Sequence, residues 1–210
     1  MCSIFCCTSK DVDQERMRRC FYRTVSRGPD MTALEETPSG WMGFHRLAIM
    51  GLNAEGMQPF WMGKNRLVCN GEIYGFRPMK RELEQKGYAF HSESDCEILL
   101  PLYAEHGTGM FKMLDAEFAL VLYDGETGEY IAARDPIGIR PLYYGYLENG
   151  SIVFASEPKN LEGLVYGEIF PFPPGKYYKT ANSAAIATSP PSRNIPAAVW
   201  TKSAKTSAKS

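Results

Sequence analysis

Phe118-Ala119-Leu120-Val121-Leu122-Tyr123 and Tyr130-Ile131-Ala132-Ala133 flank the connection Asp124-Gly125-Glu126-Thr127-Gly128. Two apolar runs of strand length around a short, glycine-rich link predict an antiparallel hairpin. A second hairpin follows, in which Leu142 to Tyr146 and Ile152 to Ala155 flank Glu148-Asn149-Gly150. Its Asn-Gly pair suits the positive φ angles of a tight turn. Working outward, Ser3 to Cys7, Trp41 to Met50 and Arg66 to Tyr74 read as further strands. Met17, Cys20, Phe21, Thr24 and Val25 recur at helical spacing behind Asp11 or Asp13 as caps, and Arg27-Gly28-Pro29-Asp30 ends that helix. Phe76 to Lys86 predicts a surface helix closed by Gly87. Ser94 with Glu97 predicts a capping box opening another, whose apolar side is Leu99, Leu100 and Tyr103. The helices cluster between strand-rich stretches and do not alternate with them one for one. That pattern predicts an α+β chain of two stacked, largely antiparallel sheets covered by helices.

Composition narrows the function classes. The chain has 210 residues, 44% hydrophobic and 22% charged, as globular domains do, which excludes wholesale disorder. No run reaches the roughly 18 apolar residues of a membrane span, and no basic segment precedes an apolar core at the N-terminus, so neither membrane insertion nor a secretory signal is expected. With 23 basic and 24 acidic residues, the net charge of −1 gives no electrostatic case for nucleic acid or an anionic membrane surface. Six cysteines contain no Cys-x-x-Cys pair, and His45, His91 and His106 are scattered, so no metal site is expected. Unpaired thiols fit a reducing, cytoplasmic setting. Residues 181–210 differ from the rest, with eight Ala, six Ser, three Thr, three Pro and no acidic residue. They carry +4 against −5 for residues 1–180, and read as a flexible Ala/Ser/Pro/Lys tail behind one domain.

One residue near the terminus carries distinctive chemistry. If Met1 is removed, Cys2 holds a thiol and a free α-amine on one skeleton. The amine, with an ordinary pKa of about 7.7–8.0, can serve as general base for its own side chain, through a bridging water. Elsewhere the residues alone leave alternatives open. Taken alone, Arg46 reads as a surface ion pair and Asn70-Gly71 as a tight turn, while Asp95 also reads as a helix cap and Glu72 as a solvated strand position.

The order of short motifs says more. Met1-Cys2-Ser3-Ile4-Phe5, Arg27-Gly28-Pro29-Asp30, His45-Arg46-Leu47-Ala48-Ile49, Asn70-Gly71-Glu72-Ile73-Tyr74 and Ser94-Asp95-Cys96-Glu97 are followed by Phe118-Ala119-Leu120, Arg134-Asp135, Gly138 to Tyr144 and Ala155-Ser156-Glu157. Together they resemble the glutaminase domain of the asparagine synthetases, a class II glutamine amidotransferase with an N-terminal nucleophile, over roughly residues 1–178. The resemblance implies an N-terminal nucleophile hydrolase-like αββα sandwich that hydrolyses L-glutamine to glutamate and ammonia. It implies Cys2 as nucleophile, and an oxyanion hole from the Asn70 amide and the Gly71 N–H. It gives Arg46 the substrate α-carboxylate, Asp95 and Glu72 the α-ammonium, and Leu47 and Ile49 backbone contacts. Two positions depart from the family pattern, Cys6 for its usual Gly and Ser26 for its usual His. No Ser-Gly-Gly-x-Asp-Ser segment is present, so the synthetase domain, which would need ATP and magnesium, is absent from this stretch. The expected partner is a synthetase domain or subunit that accepts ammonia; no cofactor is expected in this chain itself. The competing readings are an N-terminal nucleophile amidase for another amide and a non-catalytic module on the same fold.

Overall fold

The computed structural model describes residues 1–49 and 54–180, and the backbone at 201–202. In chain order its strands are β1 (Ser3–Cys7), β2 (Met31–Glu36), β3 (Trp41–Arg46), β4 (Phe60–Met62), β5 (Asn65–Ile73), β6 (Ala116–Asp124), β7 (Glu129–Arg134), β8 (Tyr143–Tyr146), β9 (Ile152–Ala155), β10 (Tyr166–Pro171), β11 (Lys176–Lys179) and β12 (Thr201–Lys202). They form two sheets, ordered β10-β8-β9-β1-β3-β2 and β12-β11-β7-β6-β5-β4. The recorded strand pairings are all antiparallel.

Side-chain alternation stacks these sheets. Along β5 and β6, Val68, Ala119 and Val121 face the first sheet and meet Ile4, Met42 and Phe44. Leu67, Cys69, Leu120 and Leu122 face the other way, onto α2 (Phe76–Gln85) and α3 (Leu99–His106) through Leu83, Leu99 and Leu102. A period of two gives each strand a face for each layer. The far side of the first sheet is covered by α1 (Gln14–Tyr22), where Met17, Cys20 and Phe21 pack on Phe5, Trp41 and Val153. The result is the four-layer αββα order, helix, sheet, sheet, helix.

Both predicted hairpins form, with Tyr123 opposite Tyr130 and Tyr146 opposite Ile152. Asp13 caps α1, its carboxylate accepting the Arg16 N–H at 3.0 Å. Four expectations are corrected. Val25 lies beyond α1 in a 3₁₀ turn and is exposed. The strand expected from Trp41 to Met50 ends at Arg46, because the next N–H groups leave the ladder: Leu47 turns to Cys2, and Ala48 to the Asp30 carboxylate at 2.8 Å. Ser94 makes no capping bond. Glu97 turns back to accept the His91 and Ser92 N–H groups, both at 2.8 Å, so a 3₁₀ turn (Asp95–Ile98) precedes α3. Strands β2, β4, β10 and β11 were not expected; their half-exposed faces weaken the apolar alternation. Most of the tail expected to be flexible lies outside the described residues, while Thr201–Lys202 pair with β11. Cys6 is wholly buried between the sheets, opposite Met42.

Candidate active site

Strand register decides which residues meet. Ser3 lies opposite His45, so the chain end carries Cys2 past the end of β3. There the Leu47 N–H donates to Cys2 Sγ at 3.3 Å, and the thiol reaches the Leu47 carbonyl at 3.6 Å. Arg27 Nε donates to the Cys2 carbonyl at 3.1 Å, and the same guanidinium pairs with Glu157 at 2.7 Å. Beside it, Gly28 passes so close to β3 that a Cβ would lie 2.2 Å from the His45 carbonyl oxygen. The stretch from Arg27 to Asp30 therefore braces both the Cys2 backbone and the exit of β3.

The opposite wall is the edge of β5. In an antiparallel strand, backbone groups point alternately to either side. Cys69 and Ile73 send their N–H groups outward, to Gln58 Oε1 at 2.6 Å and to Asp95 Oδ2 at 2.5 Å. Gly71 lies midway between them, so its N–H shares that outward direction. The Cys96 thiol approaches the Gly71 carbonyl at 3.8 Å. On its inner side Gly71 is pressed against β6, where a Cβ would come 2.8 Å from the Glu117 carbonyl oxygen.

These walls enclose a cavity of about 140 Å³. Cys2, Arg46, Leu47, Ile49, Asn70, Gly71, Glu72 and Asp95, all singled out from sequence, line it. Arg46, Asn70 and Asp95 are buried, whereas Ile49 and Glu72 are exposed at the rim. Asn70 is 3% exposed, yet its Nδ2 has no hydrogen-bond partner among the described residues. A buried amide donor left unpaired costs about 1–3 kcal/mol, and the favourable remedy is a ligand oxygen. The cavity's charges suit an amino acid zwitterion: Arg46 is cationic, and Asp95 and Glu72 are anionic. Burial pushes the Cys2 thiol above its ordinary value, while the Leu47 N–H, the chain-terminal ammonium and Arg46 pull it down. The Cys96 thiol is held well above the ordinary value, chiefly by its hydrogen bond to Cys69 and then by burial.

Sequence reasoning gave no role to Gln58, Cys69, Cys96 or Arg140, which also line the cavity, nor to Arg27. Arg27, Cys96 and Arg140 lie within motifs already quoted; Gln58 carries no signal of its own. A larger, open groove of about 640 Å³ passes Asp11, Asp13, Arg16, Glu148 and Tyr166, and its lining holds no cysteine or histidine. Among the described residues no cluster of three or more His, Cys, Asp or Glu is arranged to hold a metal ion, and no helix is long and apolar enough to cross a membrane.

Residues 1–186 match the family described as "Glutamine amidotransferase domain". Curated relatives include a probable glutamine-hydrolyzing asparagine synthetase of Dictyostelium discoideum, 39% identical over 161 residues, covering 75% of this chain and 28% of the relative. Another is asparagine synthetase B of Escherichia coli, 37% identical over 183 residues, covering 84% of this chain and 32% of the relative. The chain thus spans about three tenths of the length of these relatives. Among solved structures, glutamine phosphoribosylpyrophosphate amidotransferase from B. subtilis superposes with a TM-score of 0.70 at 21% identity, over 84% of this chain and 46% of that one. That likeness bears on the fold, the αββα sandwich of N-terminal nucleophile hydrolases.

Proposed function

The chain belongs to the glutamine amidotransferase domain family, and from that premise we propose that it hydrolyses L-glutamine to glutamate and ammonia at Cys2. The observation that carries this reading is the unpaired, buried Asn70 Nδ2 on the wall of the cavity that holds the Cys2 thiol.

In the proposed reaction Met1 has been removed. The freed α-amine of Cys2 takes the thiol proton, through water, and the sulfur attacks the glutamine side-chain carbonyl carbon. This step needs a base, because burial keeps the thiol protonated near neutral pH. The carbonyl oxygen becomes an oxyanion, which accepts hydrogen bonds from Asn70 Nδ2 and the Gly71 N–H. The α-ammonium returns its proton to the amide nitrogen, the C–N bond breaks, and ammonia leaves. Water then attacks the γ-glutamyl thioester, the amine again acting as base, and glutamate and the free thiol are regenerated. Arg46 holds the α-carboxylate through its planar fork of donors. Asp95 and Glu72 hold the α-ammonium, and Leu47 and Ile49 bound the side opposite β5. Residues 1–180 act as the glutaminase unit, and the ammonia feeds ATP- and magnesium-dependent asparagine formation on a synthetase domain or subunit.

The test is covalent. A diazo-ketone glutamine analogue labels Cys2 of the chain lacking Met1, and the same preparation releases glutamate from glutamine. Labelling that persists in Cys2→Ala, or activity equal in chains with and without Met1, overturns the reading. Asparagine formation is assayed with ATP, magnesium and aspartate, with and without a synthetase partner; ammonia that never enters asparagine with that partner present overturns the pathway assignment.

A further inference from the structure

We propose that Gln58 is a positioning residue of the oxyanion hole, standing in for the strand that β5 lacks beside Asn70 and Gly71. β4 pairs with β5 only at Asn65, Arg66 and Leu67, so among the described residues the edge from Val68 onward has no neighbouring strand. Gln58 is 5% exposed and fills that place with its side chain. Its Oε1 accepts the Cys69 N–H at 2.6 Å, and its Nε2 donates to the Cys69 carbonyl at 3.0 Å. A primary carboxamide presents its carbonyl oxygen and one of its two N–H donors on the same side, so it can close paired hydrogen bonds to the N–H and C=O of one residue as a facing residue does. Cys69 immediately precedes Asn70, and its carbonyl belongs to the peptide that carries the Asn70 N–H. Fixing both Cys69 groups fixes the peptides on either side of Cys69; the second carries the Asn70 N–H and leads directly into the peptide that carries the Gly71 N–H.

Without Gln58, two buried Cys69 backbone groups lose their partners, and the peptide rotates to find others. A displacement of about 1 Å at a catalytic group is enough for a 10²-fold loss of rate. Both backbone hydrogen bonds of the Gln58 amide go to Cys69, and through that residue they bear on Asn70 and Gly71.

The inference rests on the glutaminase reading, and its experiment separates the two. Gln58→Met keeps the length and removes both hydrogen bonds; Gln58→Glu keeps the acceptor and removes the donor. The expected result in the processed chain is a kcat lowered at least tenfold by Gln58→Met and less by Gln58→Glu, with KM for glutamine within about twofold. Affinity for a glutamine-derived aldehyde, whose adduct with Cys2 carries an oxyanion, falls in parallel with kcat, while affinity for glutamate stays. A merely structural role lowers the melting temperature and weakens aldehyde and glutamate alike. If Gln58→Met fails to fold, the same comparison is read from Gln58→Glu. A wild-type kcat in folded variants, or equal weakening of both ligands, overturns the inference alone. A wild-type chain that neither labels at Cys2 nor turns over glutamine overturns the glutaminase reading, and this inference with it.

Discussion

Replacing Asn70 by Leu separates a donor kept for catalysis from one kept for folding. Asn70 is 3% exposed and its Nδ2 lacks a partner among the described residues, so the amide is a burden on the folded state. Leu has nearly the same branched outline and no polar atom. Relieving an unpaired donor returns about 1–3 kcal/mol, and a domain of this size gains about 2–4 °C in melting temperature per kcal/mol. Asn70→Leu is therefore expected to melt at least about 2 °C above wild type. Loss of one oxyanion donor raises the barrier by about 2.7–4 kcal/mol, lowering kcat by about 10²–10³. The two effects have opposite signs, whereas ordinary damage to the fold lowers both quantities. Calorimetric melting of ligand-free protein and steady-state glutamate release, measured on one preparation, provide the comparison. A melting temperature several degrees below wild type, or a kcat within tenfold of it, refutes the reasoning.

Other perturbations read other parts of the site. In chains that retain Met1, iodoacetamide alkylation of Cys2 should show a midpoint above the ordinary thiol value of about 8.5. Arg46→Met should move that midpoint further up, since Arg46 is among the groups that lower it; a midpoint below the ordinary value contradicts the burial argument. In the processed chain the same variant should raise KM for glutamine by about 10–100-fold, as expected for a lost charge-assisted hydrogen bond, and change kcat less; loss confined to kcat refutes a carboxylate-binding role. Glu157 is raised by burial, but hydrogen bonds from Lys159 and Arg27 carry it below its ordinary value. A depressed carboxyl contributes stability that is present above its unfolded-state pKa of about 4.3 and lost as pH falls through the folded value. Arg27→Met should therefore melt below wild type at neutral pH, with the gap narrowing below about pH 4 in melts across that range; a gap independent of pH refutes the pairing.

Much of the fold was legible because its central strands repeat with period two and end at strong turns. Val68 and Val121 alternate with Leu67, Leu120 and Leu122, and Gly128 and Gly150 take the positive φ angles their turns require. The rim strands were not legible. β2 and β10 are half exposed or more, so no apolar face repeats clearly along them. Glu97 misled because its spacing from Ser94 fits a capping box, while its carboxylate had nearer partners in the turn at His91 and Ser92. The candidate site was legible through motif order. Arg46, with a guanidinium buried beside Met31, could not be told from a surface ion pair by its neighbours in sequence.

What sequence could not show is the direction in which a strand's backbone points. Side-chain alternation reveals which face of β5 is apolar, but not which edge of β5 is open. An open edge is a row of unpaired donors and acceptors, which proteins usually cover or blunt. Here three unlike groups cover it: the Gln58 amide at Cys69, the Cys96 thiol at the Gly71 carbonyl, and the Asp95 carboxylate at the Ile73 N–H. They lie 11, 25 and 22 residues from their partners in the chain, with no shared pattern. The Gly71 N–H stands between the covered positions, beside the Cys2 thiol and the Asn70 amide in one cavity. A substrate carbonyl entering there would complete the edge as a fourth partner. The same backbone geometry that leaves the strand incomplete thus supplies a donor fixed in place before substrate arrives, which is the property an oxyanion hole requires.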